Sequence, residues 1–206
     1  VKYEWRKAAK DLYIPKKKPE QVTIPKFSFF MLEGKGNPND EAFSEAIGVL
    51  YSLSYTLKML PKKGIIPEGY YEYTVFPLEG VWDMEEAGDI STLEKDKLIF
   101  TIMIRQPDFV TEELAKEVVE MVKKKKPHPL LDQVTFSSID EGLCVQMLHI
   151  GSYDDESASF AKMDEYCEQH NLSRISRTHR EIYISDPRKV QRDKLKTVLR
   201  FEVEAN

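Results

Sequence analysis

Apolar positions along this chain follow two rhythms, and each predicts its own kind of element. Phe43, Ala46, Ile47, Leu50, Leu53, Leu57 and Leu60 recur at i, i+3, i+4 spacing, which predicts a helix with one core-facing stripe. Asn39 or Asp40 serves as its cap, and Pro61 and Gly64 end it. Further helices are predicted over 111–125, capped by Thr111, and from about 155 to 170. The Lys123–Lys126 run suits the negative end of the 111–125 helix, as a solvated helix end. Strand-like runs fall at 23–32, 70–76, 98–105, 133–137, 143–149, 180–184 and 195–203. Residues 78–97 read as an irregular acidic segment. The first 20 residues are basic and aromatic, as a short docking helix and connector would be.

The element order repeats. A strand ending in Phe30-Met-Leu-Glu-Gly-Lys-Gly36 precedes the helix with Phe43, and Gln146-Met-Leu-His-Ile-Gly151 precedes a helix with Phe160. Two strands follow each helix. The expected fold is α/β (α+β), a duplicated βαββ repeat with a pseudo-twofold axis and a central ligand groove. Residues 1–21 are expected to form an N-terminal extension. Residues 22–206 then form the domain, with repeats at about 22–110 and 133–206 linked by the helix at 111–125. Helices apolar on one side cover one sheet face, which leaves the other partly open for a groove.

Composition narrows the function. With 206 residues, 41% hydrophobic and 32% charged, the chain can bury a proper core. Thirty Lys and Arg against 35 Asp and Glu give a net charge of −5, which argues against direct nucleic-acid binding. Charges interrupt every apolar run short of the ~18 residues that a membrane span requires. Two cysteines, Cys144 and Cys167, make no disulfide framework, so a reduced, cytoplasmic protein is expected.

Chemistry concentrates in two places. In His179-Arg-Glu-Ile-Tyr-Ile-Ser-Asp-Pro187, alternation puts His179, Glu181 and Tyr183 on one strand face, opposite Ile182 and Ile184. Strands disfavour Glu, and a buried unpaired carboxylate is costly, so that face is either wet or at work. Five aromatics between Tyr70 and Trp82 form the second concentration. Cross-strand packing accounts for any one of them, whereas Tyr and Trp together fit a cage for a flat or cationic ligand. The acidic run from Glu85 to Glu94 would rim that cage. His128, His149, His170 and His179 show no metal-binding spacing, and Gly34-x-Gly36 lacks the third glycine of a dinucleotide loop. No metal and no cofactor is expected.

Several separate stretches resemble the GyrI-like small-molecule-binding family. They are Met31-Leu-Glu-Gly-Lys-Gly-Asn-Pro38 with the helix that carries Leu50-Tyr51 and Tyr55-Thr-Leu-Lys58, then Pro77-Leu-Glu-Gly-Val-Trp82, Glu181-Ile-Tyr-Ile-Ser-Asp-Pro187 and Lys196-Thr-Val-Leu-Arg200. They stand in the family's order over nearly the whole chain. The resemblance implies a duplicated strand-helix-strand-strand fold and an aromatic pocket for bulky, often cationic, small molecules. It makes Glu181 the strand carboxylate, Tyr183 the family's tyrosine and Trp82 its tryptophan. Asp83 stands where many stand-alone relatives have a second aromatic. With no helix-turn-helix segment, the chain resembles the stand-alone members, which implies hydrolysis of the strained cyclopropane of cyclopropanoid DNA-alkylating agents. The candidate catalytic residues are Glu181, Tyr71 and His179, and the ligand contacts are Trp82, Tyr73, Tyr183, Met147 and His149. Two alternatives stand beside the hydrolase: a non-catalytic module that sequesters drugs, and an inhibitor of a nucleic-acid enzyme. The natural ligand and any protein partner are left open.

Overall fold

The structure, a computed structural model, describes residues 1–84 and 95–206. The expected acidic rim at 85–94 lies outside the described residues. Two short helical turns, α1 (Trp5–Ala8) and α2 (Lys10–Tyr13), lead into strands β1 (Glu20–Ile24) and β2 (Phe27–Lys35). Helix α3 (Glu41–Lys58), strands β3 (Leu78–Met84) and β4 (Leu98–Gln106) and helix α4 (Glu112–Lys125) follow. Then come β5 (Thr135–Ile139), β6 (Gly142–Ile150), α5 (Glu156–Gln169), β7 (Leu172–Arg174), β8 (His179–Tyr183) and β9 (Lys196–Ala205).

Proline explains two departures from the expected elements. The single strand expected at 23–32 is two, β1 and β2, because Pro25 cannot donate to a ladder. The strand expected at 70–76 is irregular apart from one bridge between Tyr3 and Tyr73. The regular strand starts after Pro77, inside the stretch expected to be irregular. The three long helices fall where the sequence predicts them. Thr111 caps α4 with Oγ1 accepting from the Leu114 amide at 3.1 Å, and Gly64 takes the left-handed φ of 79° that closes the turn after α3.

All ladders are antiparallel, in the order β1-β6-β9-β8-β3-β4-β2-β5, with β7 beside β9. Reading outward from the central pair gives β8-β9-β6 on one side and β3-β4-β2 on the other. Residues directly opposite in such a ladder share a face. The register therefore sets Leu32, Gly80, Ile102, Met147, Glu181 and Leu199 on one face. Leu50, Leu53 and Leu57 of α3 share a buried cluster with Leu32 and Ile102, and Met163 and Cys167 of α5 share another with Met147 and Leu199. Helices α3 and α5 thus cover the face that carries Glu181.

The opposite face is not the open one expected. Residues 1–19 run across it, because Trp5, Leu12 and Tyr13 carry apolar bulk into the main core. Trp5 Nε1 donates to the Val75 carbonyl at 2.8 Å, and the Leu148 amide donates to the Lys16 carbonyl at 2.8 Å. Gln146 Nε2 donates to the Asp11 carbonyl at 2.7 Å. No helix among the described residues is long and apolar enough to cross a membrane.

Candidate functional site

The central strand pair presents a line of functional side chains between α3 and α5. Gly80 lies opposite Glu181 and Trp82 opposite His179, so all four share one face with Tyr183. His179 Nε2 stands 3.0 Å from Glu181 Oε2. Glu156, in the first turn of α5, adds a second carboxyl. Glu156, His179 and Glu181 each bring one polar atom within 4.8 Å of the others. That donor set suits a divalent cation as well as a shared proton.

Two buried carboxylates this close cannot both ionise cheaply, since a low-dielectric site magnifies their repulsion. Glu181 is 7% and Glu156 8% exposed. Burial first, and the neighbouring Glu181 second, push the Glu156 carboxyl well above its ordinary value. Its Oε1 has no hydrogen-bond partner among the described residues. Glu156 therefore holds a proton more tightly than an ordinary carboxyl, at close range to Glu181.

Aromatic rings enclose the carboxyls. Trp82 Nε1 donates to the Tyr183 hydroxyl at 2.9 Å, and the Trp82 ring packs 5.7 Å from Phe43 and 5.5 Å from Phe100. Phe160 lies edge-on to His179 at 4.7 Å, and Tyr153 meets Tyr183 edge-on at 6.0 Å. Burial, then Glu181 and Glu156, push the Tyr183 phenol well up and the Tyr153 phenol to about 12. The indole can lie flat because position 80 has no side chain: a Cβ there would sit 2.7 Å from Trp82 Nε1 and 3.1 Å from the Tyr183 oxygen. Gly34 makes the same allowance for Phe100, whose Cζ would be 2.5 Å from a Cβ at position 34.

The structure brings together Glu181, His179, Tyr183 and Trp82 from the sequence-derived set. Tyr71 and Tyr73 lie elsewhere, in an aromatic cluster with Tyr3 and Phe109, because the strand was expected eight residues too early. Met147 packs under α5 with Met163 and Leu199. His149 is held by Ser159 Oγ at 2.8 Å and the Ser152 carbonyl at 2.8 Å, which ties the start of α5 to β6. At the face where the groove is expected, Tyr153 packs against Tyr183 and Phe160 against His179. A depression of about 310 Å³ between α4 and β5, lined by Phe30, Val119, Leu131 and Phe136, does not touch the carboxyls.

Glu156, Tyr153 and Phe160 escaped the sequence reading. Glu156 follows Asp154 and Asp155 at a helix start, where acidic residues normally serve the helix dipole. The one available signal was the sheet itself. Packed against β6, α5 sets its first turn beside Glu181.

The comparisons with known proteins agree with this architecture. No curated protein matches the chain significantly. Among solved structures, an uncharacterized conserved protein from Listeria innocua is 39% identical, with 98% of this chain and 100% of that one covered and a TM-score of 0.90. A hydrolase from Listeria innocua is 36% identical over 98% of this chain and 100% of its own, with a TM-score of 0.89. The EcmrR C-terminal domain shares the fold at 14% identity, covering 92% of this chain and 98% of that one, with a TM-score of 0.54. The model of the GyrI-like small molecule binding domain matches residues 17–204, and the chain belongs to that family.

Proposed function

We propose that this protein binds bulky aromatic compounds between α3 and α5 and hydrolyses the cyclopropane of cyclopropanoid alkylating agents there. The observation that carries the reading is the pair of buried carboxyls, Glu181 beside Glu156, at the Trp82–Tyr183 hydrogen bond; burial makes Glu156 the readier of the two to hold a proton. Sites of this kind divide their work by holding two carboxyls at different proton affinities. The full-length likeness to a hydrolase from Listeria innocua supports the same reading. The two strand-helix-strand-strand units are read as a duplication about an axis between β3 and β8, supported by the strand order on either side. The axis would put the ligand over the central pair.

In the reaction, Glu181, oriented by His179, takes a proton from a water whose oxygen attacks the cyclopropyl methylene. The cyclopropane C–C bond breaks, and its electron pair passes into the dienone, which becomes a phenolate. Glu156 delivers a proton to that oxygen, and the proton held by Glu181 returns to Glu156. Substrate and one water become one phenol. Relief of ring strain and aromatisation supply most of the drive, so the chain's own residues need only position and exchange protons.

Incubation with a spirocyclopropyl-cyclohexadienone compound tests this by mass spectrometry. The expected product carries the mass of one added water. Unchanged compound in a stable complex would replace the hydrolase with the alternative, a sequestering module, which the aromatic rings around the carboxyls also favour.

A further inference from the structure

The Trp82–Tyr183 hydrogen bond has only one possible direction. An indole N–H donates and cannot accept, so the Tyr183 oxygen receives it and the phenol retains its own proton to give. Among the described residues, no hydrogen bond takes up that proton. The half-buried hydroxyl can therefore offer its proton to an acceptor on a ligand. Tyr183 lies two residues from Glu181 on the same face, so the proton is available where a ligand would sit.

Gly80 sets this arrangement. It stands directly opposite Glu181, and any Cβ there would meet both partners of the bond, at 2.7 Å from the indole nitrogen and 3.1 Å from the phenol oxygen. Both contacts are tighter than ordinary carbon contacts, so Trp82 or Tyr183 would have to move. Phe43 and Phe100 back the far side of Trp82 and leave the ring little room to retreat.

We infer that Gly80 is a positioning residue whose missing side chain lets Trp82 cap the Tyr183 oxygen, turning the Tyr183 O–H to a ligand's carbonyl oxygen. The ligand class is then a flat aromatic that carries a carbonyl acceptor, in preference to an aromatic cation with no acceptor. This rests on the reading that the enclosure takes aromatic ligands. It also fits the reaction, because negative charge grows on a dienone oxygen as the cyclopropane opens and a fixed donor there gains strength. Burial keeps the phenol protonated and able to donate.

The test compares acridone with 9,10-dihydroacridine, which lacks the carbonyl, by quenching of tryptophan fluorescence. Wild type is expected to prefer acridone by roughly tenfold, the ratio that one hydrogen bond of ordinary strength sustains. Tyr183→Phe is expected to erase the preference while keeping the affinity for dihydroacridine. Gly80→Ala should erase it too, without touching the hydroxyl. The carbonyl stretch of bound acridone should lie lower in wild type than in Tyr183→Phe, a signature that mere packing would not move. If Gly80→Ala fails to fold, Tyr183→Phe and the stretch frequency still decide. Equal affinity of wild type for the two compounds, or a preference that survives Tyr183→Phe, overturns the inference alone. Wild type that binds neither compound overturns the aromatic-ligand reading and this inference with it.

Discussion

Two buried carboxylates on neighbouring central strands, Glu79 and Glu181, face opposite sides of the same sheet and meet opposite treatment. Glu79, 3% exposed, receives Arg180 Nη1 at 3.0 Å. Arg180 Nε binds Glu141 at 3.0 Å, and Arg200 Nη1 binds Glu141 at 3.2 Å. Gln146 accepts from Arg200 Nε at 3.2 Å, and Arg105 donates to Tyr13 at 3.1 Å. Guanidinium groups, fixed in charge and geometry, compensate the acids on that face. On the other face, Glu181, 7% exposed, has an imidazole and a second carboxyl for neighbours. The back of the sheet spends its charges on structure. On the front, an imidazole and a second carboxyl stand where the back has guanidinium groups.

This contrast can be broken most forcefully from the back. Arg180→Met leaves Glu79 and Glu141 buried without their guanidinium and should cost about 3–5 kcal/mol in urea unfolding. A loss below 1 kcal/mol would mean that the network is ornamental.

The matching change in front is Glu181→Gln, which preserves shape and removes the base. Cyclopropanoid turnover should fall by about 10²–10⁴-fold while the compound still binds. Stability should change by only about 1 kcal/mol, since the cost of burying the Glu181 carboxylate disappears along with the His179 contact. Turnover at the wild-type rate would remove Glu181 from the chemistry. A stability loss as large as that of Arg180→Met would erase the distinction between the two faces.

The smallest expected effect is a slope. Burial and Glu181 hold the folded Glu156 carboxyl above its ordinary 4.5, so the folded state retains a proton that the unfolded chain releases. Its contribution to stability is complete below about pH 4.5 and is lost as pH rises through the raised folded value. Glu156→Gln cannot titrate and should show a shallower fall in stability above pH 4.5 in denaturation series. Glu79, also raised by burial, leaves the remaining slope in place. An unchanged slope would mean that Glu156 is ionised beside Glu181, and the acid half of the pair would be gone.

The sequence by itself determined the helices, the order of elements and the composition of the face of β8. Periodicity is local: seven apolar residues at helical spacing permit one geometry, and alternation puts His179, Glu181 and Tyr183 together whatever lies around them. The Trp82 assignment came from the family resemblance, and the register with β8 places it opposite His179. Tyr71 and Tyr73 misled because an aromatic run with strand character stood ahead of Pro77, and a β-like composition does not say which partner strand accepts it. The rest waited on tertiary structure. Glu156 lies 25 residues from Glu181 and looks like an ordinary helix-start acid until α5, packed against β6, brings its first turn beside Glu181. The guanidinium network joins residues from four strands and the N-terminal segment, whose coverage of the back face no local pattern encodes. Gly80 read as a motif letter, and only the register with Glu181 and the fold of Trp82 over it make its missing Cβ a requirement. Proton affinity and steric room depend on what the chain brings near from far along its length, so a linear pattern names the actors and the packed sheet assigns their charges.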